Sequence, residues 1–298
     1  MDSNRRRGVE WLTLAIIAGC YGLWALLVFV LPLPVWLSVL LLIPVLTLHS
    51  SLQHEVIHGH PLPSRFWSML LVYLPLGLCI PYERFRDQHL HHHLDSNLTD
   101  PYDDPESAYM DPPVWARLPR AIRLVLMFNN TLLGRMLIGP LVSQYAFMRA
   151  DLREMAAGDR AILRVWLVHI ALSAGLVILL ARFALLPLGG YFLAAYFGLS
   201  VLKIRTFLEH QAHLRASGRT VIIEDRGPLA WLFLNNNLHA VHHAHPKLPW
   251  YELPEVYAKN RVHFLRRNHG YTYRSYAQVF RNYALRRKEP VPHPLRHE

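Results

Sequence analysis

Four long apolar runs, Trp11 to Leu31, Val35 to about Gln53, about Val165 to Leu186 and Gly190 to about Phe207, constrain this chain more than anything else in it. Each is about 20 residues, the length an α-helix needs to cross the hydrocarbon core of a bilayer. In lipid every backbone N–H and C=O must be bonded within the segment, so runs of this kind are helices. The sequence therefore predicts an all-α integral membrane protein with about four transmembrane helices, over 11–31, 35–53, 165–186 and 190–207. The first run follows Arg5, Arg6 and Arg7, as a signal peptide would, but its length and the second run directly behind it fit a retained anchor.

Charge orders the connections. The Leu31–Pro34 turn is uncharged and Ala181 to Gly190 carries only Arg182, so both are expected to face away from the cytoplasm. The arginine-bearing N-terminus, the stretch from His54 to about Arg164 and everything after Lys203 then share the cytoplasmic side. Two apolar pieces are too short or too interrupted to span. Phe66 to Ile80, broken by Pro75 and Gly77, reads as a re-entrant or interfacial hairpin, and Ile122 to Phe147 as an amphipathic helix on the membrane surface. The expected organisation is a single membrane domain over 1–298, with a mostly helical cytosolic cap over 81–160 and 208–298.

Three histidine clusters fall on that one side: His54 and His58 in HEVIH, His89, His92 and His93 in HLHHH, and His239, His242 and His243 in HAVHH. Spacings of i, i+3 and i+4 put the rings of each cluster on one helical face. Imidazole is a ligand for zinc, copper and iron, and these eight rings exceed what one four-coordinate zinc uses, so two metals are expected. The two cysteines, Cys20 and Cys79, sit alone in apolar surroundings and offer no alternative ligand set.

Other readings of the same residues account for less of the pattern. HEVIH alone matches a zinc metalloprotease motif with Glu55 as general base, but that leaves both HxxHH boxes unused. A metal-buffering tract has no reason to repeat HxxHH at 89–93 and 239–243. A metal transporter needs ligands along its spans, where only His49 and His169 lie.

Together with these boxes, the flanks Gln53-HEVIHGHP61, Arg86-Asp-Gln-His-Leu90, Leu98-Thr-Asp-Pro101 and HHAHPKLPWYELP resemble the membrane fatty acid desaturase and hydroxylase superfamily. The resemblance runs from about Pro44 to Pro254. It implies two iron ions held mainly by imidazole and adds His210, at the end of the last membrane helix, as a ninth ligand. Glu55, Glu209, His213 and Asn235 are candidates for contacts that orient the ligands, and Asn235 or its neighbours for capping the third-box helix. His60 and His245 also flank boxes and could orient ligands, His91, pointing off its helical face, and His49 receive blander roles, and none is expected for His169, His263, His269, His293 or His297. The acidic loop with Asp100, Asp103, Asp104 and Glu106 reads as a structured turn.

The chemistry this resemblance implies is oxygen activation at an unreactive C–H bond. Removal of two hydrogens gives an alkene and return of hydroxyl gives an alcohol, a choice the ligand list leaves open. Pro246, Pro249, Tyr251, Leu253 and Pro254 resemble acyl-lipid desaturases; HGHP and Glu209-His210 are also similar to hydroxylases and carotenoid ketolases, and a specialised small metabolite is a further substrate class. The sequence holds no GxGxxG unit and no CxxC pattern, so two electrons must come from a separate donor such as ferredoxin or rubredoxin, with its reductase. The formal charge of +10, with Arg281, Arg286, Arg287 and Lys288 close together, suits an acidic donor or anionic lipid. The expected partners are a membrane lipid or acyl substrate and that donor, with no nucleic acid, and the expected setting is a bacterial inner membrane.

Overall fold

The computed structural model describes residues 8–94 and 98–296. Arg5, Arg6, Arg7 and His297 lie outside the described residues. Helix α1 (Trp11–Ala25) runs into a π turn at Leu26–Val30 and is followed by α2 (Val35–Ile57), α3 (Arg65–Val72) and α4 (Tyr82–Leu94). After the acidic loop come α5 (Pro112–Arg117), α6 (Arg120–Asn129), α7 (Leu132–Leu137) and α8 (Gly139–Ala156). Two long helices, α9 (Arg160–Phe183) and α10 (Leu188–Thr206), precede the strand β1 (Ile222–Ile223). The chain closes with α11 (Pro228–Leu232), α12 (His239–Ala244), α13 (Leu253–Arg267), β2 (Thr272–Tyr273) and α14 (Tyr276–Tyr283).

Among the described residues, three helical stretches are long and apolar enough to cross a membrane: Trp11–Val30, Val35–Ile57 and Arg160–Phe183. The fourth expected span forms the 19-residue helix α10, which falls short of that standard because its last turn carries Lys203 and Arg205. Leu12, Trp36, Leu40, Leu167, Ile178 and Phe183 are exposed on these helices, as lipid-facing side chains are.

The chain divides into two compact units. The first comprises Met1–Arg86 and Phe147–Val201. Buried polar bonds tie its helices: Trp24 Nε1 donates to Tyr191 Oη at 3.1 Å, and that hydroxyl donates to Leu76 O at 2.9 Å. Pro44 interrupts the ladder of α2, and one turn on, Thr47 Oγ1 lies 2.9 Å from Ile43 O and 3.1 Å from Gly198 O of α10. Asp159 opens α9 by accepting from Ala161 N and Ile162 N. The segment expected as a hairpin is α3 followed by a non-helical stretch through Pro75 and Gly77, with Leu78 at φ 64°.

The second unit comprises Asp87–Ala146 and Leu202–Glu298. Where one surface helix was expected over Ile122–Phe147, the structure has three, α6, α7 and α8. The break has a local cause. Thr131 Oγ1 caps α7 by accepting from Gly134 N at 3.0 Å, and Gly134 packs so closely on the end of α6 that a Cβ would lie 1.8 Å from Phe128 O. The apolar core here gathers Ile222, Leu238, Val241, Leu253, Tyr257 and Phe264. β1 and β2 pair in parallel, Ile222 with Thr272 and Ile223 with Tyr273, adding a short ladder to a cap expected to be helical. Ala240 N donates to Val221 O and Ile223 N to Asn237 O, so the start of α12 is pinned to β1.

Candidate metal centre

Helix α4 carries His89, His92 and His93 at the predicted positions, with His89 and His92 buried and His91 exposed to solvent. Helix α12 carries His239, His242 and His243. His210 lies four residues past α10, held by a bridge to Thr220. Within the second unit, one ring nitrogen from each of His92, His210, His239 and His243 falls within 4.8 Å of the others. The Nε2 atoms face one another, at 2.9 Å for His92 and His210, 3.1 Å for His239 and His210, and 3.2 Å for His243 and His239. Beside them His93 Nε2 lies 3.1 Å from His89 Nε2 and 3.2 Å from His242 Nε2.

The opposite ring nitrogens explain the convergence. His92 Nδ1 pairs with Asp104 Oδ1 at 2.8 Å, His89 Nδ1 with Glu106 Oε1 at 2.7 Å, and His239 Nδ1 with Asn236 Oδ1 at 3.0 Å. Each bond fixes the proton on Nδ1 and turns a bare Nε2 lone pair inward, the arrangement that metal-binding histidines adopt. Four imidazole nitrogens that close on one another fit a transition-metal cation. Asn236 is itself set by Glu209, whose Oε1 accepts from its amide at 3.2 Å and pairs with Arg205 Nε at 3.0 Å.

The electrostatics agree. Burial and the neighbouring imidazoles hold His210, His239 and His243 well below the usual histidine range, and burial with His89 and His92 pushes His93 down to about 3. These rings are neutral, as ligands must be. His92 is the exception. Burial lowers it, but Glu106, Asp104 and Glu209 outweigh that and raise it to about 9. Burial likewise raises Glu106, yet His92, His89 and Arg205 hold it well below the usual carboxylate range. A pocket whose field favours a proton on His92 favours a cation in its place.

In the first unit, His54 sits in the last turn of α2 and His58 caps its end, both buried, with ring centroids 5.0 Å apart. The helix runs on to Ile57, past the expected end of the span at Gln53, so the first box is an extension of the apolar helix itself.

The candidates for orienting contacts divide. Glu209 reaches the cluster through Asn236. Asn235 does not; its amide donates to Trp250 O at 3.1 Å. Leu234 and Asn235 adopt φ 51° and 55°, a left-handed turn that delivers the next residue, Asn236, to the site. No asparagine side chain caps α12. His213 turns to Arg215 O and lies tilted against His269, with ring centroids 4.7 Å apart. Glu55 lies 3.7 Å from His60 Nε2, whose Nδ1 pairs with Glu10 at 2.5 Å. Asp104 and Glu106, expected as turn residues, also grip His92 and His89, contacts that no local spacing signals. Lys288, grouped in sequence with the surface arginines, turns inward to Phe207 O and His210 O, while Arg281, Arg286 and Arg287 stay exposed.

The family model described as fatty acid desaturase matches residues 31–277. No curated protein matches the sequence.

Proposed function

This chain belongs to the fatty acid desaturase family, and we propose that it is a membrane-bound oxidoreductase that desaturates a fatty-acyl chain of a lipid. The observation that carries the reading is the set of inward Nε2 atoms of His92, His210, His239 and His243, three of them on the histidine boxes and two with their outer nitrogens bonded to Asp104 and Asn236. The proposed ligand set is His54, His58, His89, His92, His93, His210, His239, His242 and His243, and the proposed metals are two iron ions. Bound there, they would supply the reduction of dioxygen and the oxidation of an unactivated C–H bond.

The balance of the reaction assigns work to the protein. One saturated C–C unit, one dioxygen, two electrons and two protons give one alkene and two waters. The electrons come from an external carrier of the ferredoxin or rubredoxin kind, for which exposed Arg281, Arg286 and Arg287 offer a cationic face. Asp104, Glu106 and Asn236 hold protons on the outer nitrogens of His92, His89 and His239, so those rings keep their lone pairs for the metal through turnover. We place the centre and both termini on the cytoplasmic side of a bacterial inner membrane.

The test is mass spectrometry of the lipids of a host expressing the chain, beside a His242→Ala variant, under oxygen. Loss of two mass units from an acyl chain, absent in the variant, supports desaturation. A gain of sixteen moves the reaction to hydroxylation, and no change in any lipid overturns the acyl substrate.

A further inference from the structure

His210 differs from its neighbours in what holds it. His92 and His239 have their outer nitrogens bonded to Asp104 and Asn236, whereas His210 Nδ1 is buried and has no hydrogen-bond partner. Its ring direction is therefore set by its backbone. That backbone is bridged to Thr220, and a second grip on it comes from the C-terminal segment, beyond residue 277 where the family match ends. Lys288 Nζ donates to Phe207 O at 3.1 Å and, more closely, to His210 O.

The segment that brings Lys288 there is fastened along its length within the second unit. Leu133 N donates to Ala284 O at 3.0 Å, Arg287 bridges Thr131, and Asn130 Nδ2 donates to Glu289 O at 2.6 Å. Further on, Met110 N donates to Val291 O at 2.9 Å and His293 N to Met110 O at 2.8 Å. A second tie runs to the same stretch as His210: Tyr109 Oη donates to Glu289 and accepts from Ala212 N at 2.8 Å. A lysine held so firmly against two carbonyls serves a purpose that surface charge does not explain.

We propose that Lys288 is a positioning residue for the metal centre, fixing His210 as a ligand by clamping its carbonyl from a strap formed by residues 284–293. The proposal rests on the reading of His210 as a metal ligand. The ammonium supplies up to three donors in a compact tetrahedral head, which suits two carbonyls converging from different directions.

The test compares the full chain in detergent with Lys288→Met and Lys288→Arg, titrating cobalt(II) against a competing chelator and recording its visible ligand-field absorption and the thermal midpoint. The expected result is cobalt affinity at one site weakened on the order of 10-fold in Lys288→Met, the lower end of what supporting contacts to a ligand contribute. Its absorption changes shape, and Lys288→Arg restores both. Cobalt affinity and absorption unchanged in Lys288→Met would overturn the proposal. So would a Met variant that fails to fold, or one that loses only its thermal midpoint, since either assigns Lys288 to fold stability alone. A parent chain that binds no cobalt at all would instead refute the metal-centre reading.

Discussion

Asp104 and His92, twelve residues apart, meet at 2.8 Å with both side chains almost wholly buried, and the same carboxylate accepts from the backbone N–H of Thr99 and Glu106. One aspartate thus shapes the acidic loop and fixes which nitrogen of His92 faces the cluster.

Asp104→Asn removes the charge behind His92 and, because one acceptor oxygen becomes an NH2, also gives up the bond from Thr99 N. Metal affinity is expected to fall 10- to 100-fold, the range for supporting contacts of this kind, with helical content unchanged. Chelator competition with circular dichroism checks both; unaltered affinity would show that Asp104 serves the loop only.

Asn235 and Asn236 should separate cleanly. Asn236→Leu strips His239 and Glu209 of a shared partner and should lower metal content. Asn235→Gly, which keeps the left-handed turn at φ 55° and gives up only the bond to Trp250, should bind metal as the parent does. Elemental analysis of the two purified variants decides between them.

His210→Ala and His213→Ala form a second contrast three residues apart. The first removes a ring 2.9 Å from His92 Nε2 and should abolish metal binding at one site. The second breaks a contact with His269 at the margin and should leave metal stoichiometry intact. Equal metal loss in both variants would contradict the site's geometry.

Tyr191→Phe tests the frame of the first unit without touching a ligand. It removes the hydroxyl that links Trp24 Nε1 to Leu76 O, leaving a buried donor and a buried acceptor unpaired. The expected cost is about 1–3 kcal/mol for each group left unsatisfied, read as a lower thermal midpoint in detergent with metal content unchanged.

The apolar helices and the histidine boxes were legible in the sequence because both obey simple periods: about 20 apolar residues for a span, and three or four residues between rings on one face. His210 needed the resemblance, since it stands alone beyond α10. Asp104 and Glu106 escaped because a loop carboxylate has no register that points it at a particular ring. Asn236 was hidden by the left-handed turn at Leu234 and Asn235, which rotates each asparagine of the run to a different neighbour. Lys288 looked like surface charge because its neighbours Arg286 and Arg287 are; its inward course depends on backbone pairing with Asn130 and Thr131, which no local pattern announces. Ile122 to Phe147, expected as one amphipathic helix, is helical but loses continuity where Gly134 lets α7 press against the end of α6.

The bonds from Asp104, Glu106 and Asn236 to the outer ring nitrogens do not pass through a metal at all. The mould for the cation is therefore set by the chain itself, and emptying it should be closer to removing a key than to pulling out a keystone. Stripping and reloading with another transition metal, which unfolds and refolds zinc-finger-like domains, should here proceed reversibly on a standing scaffold.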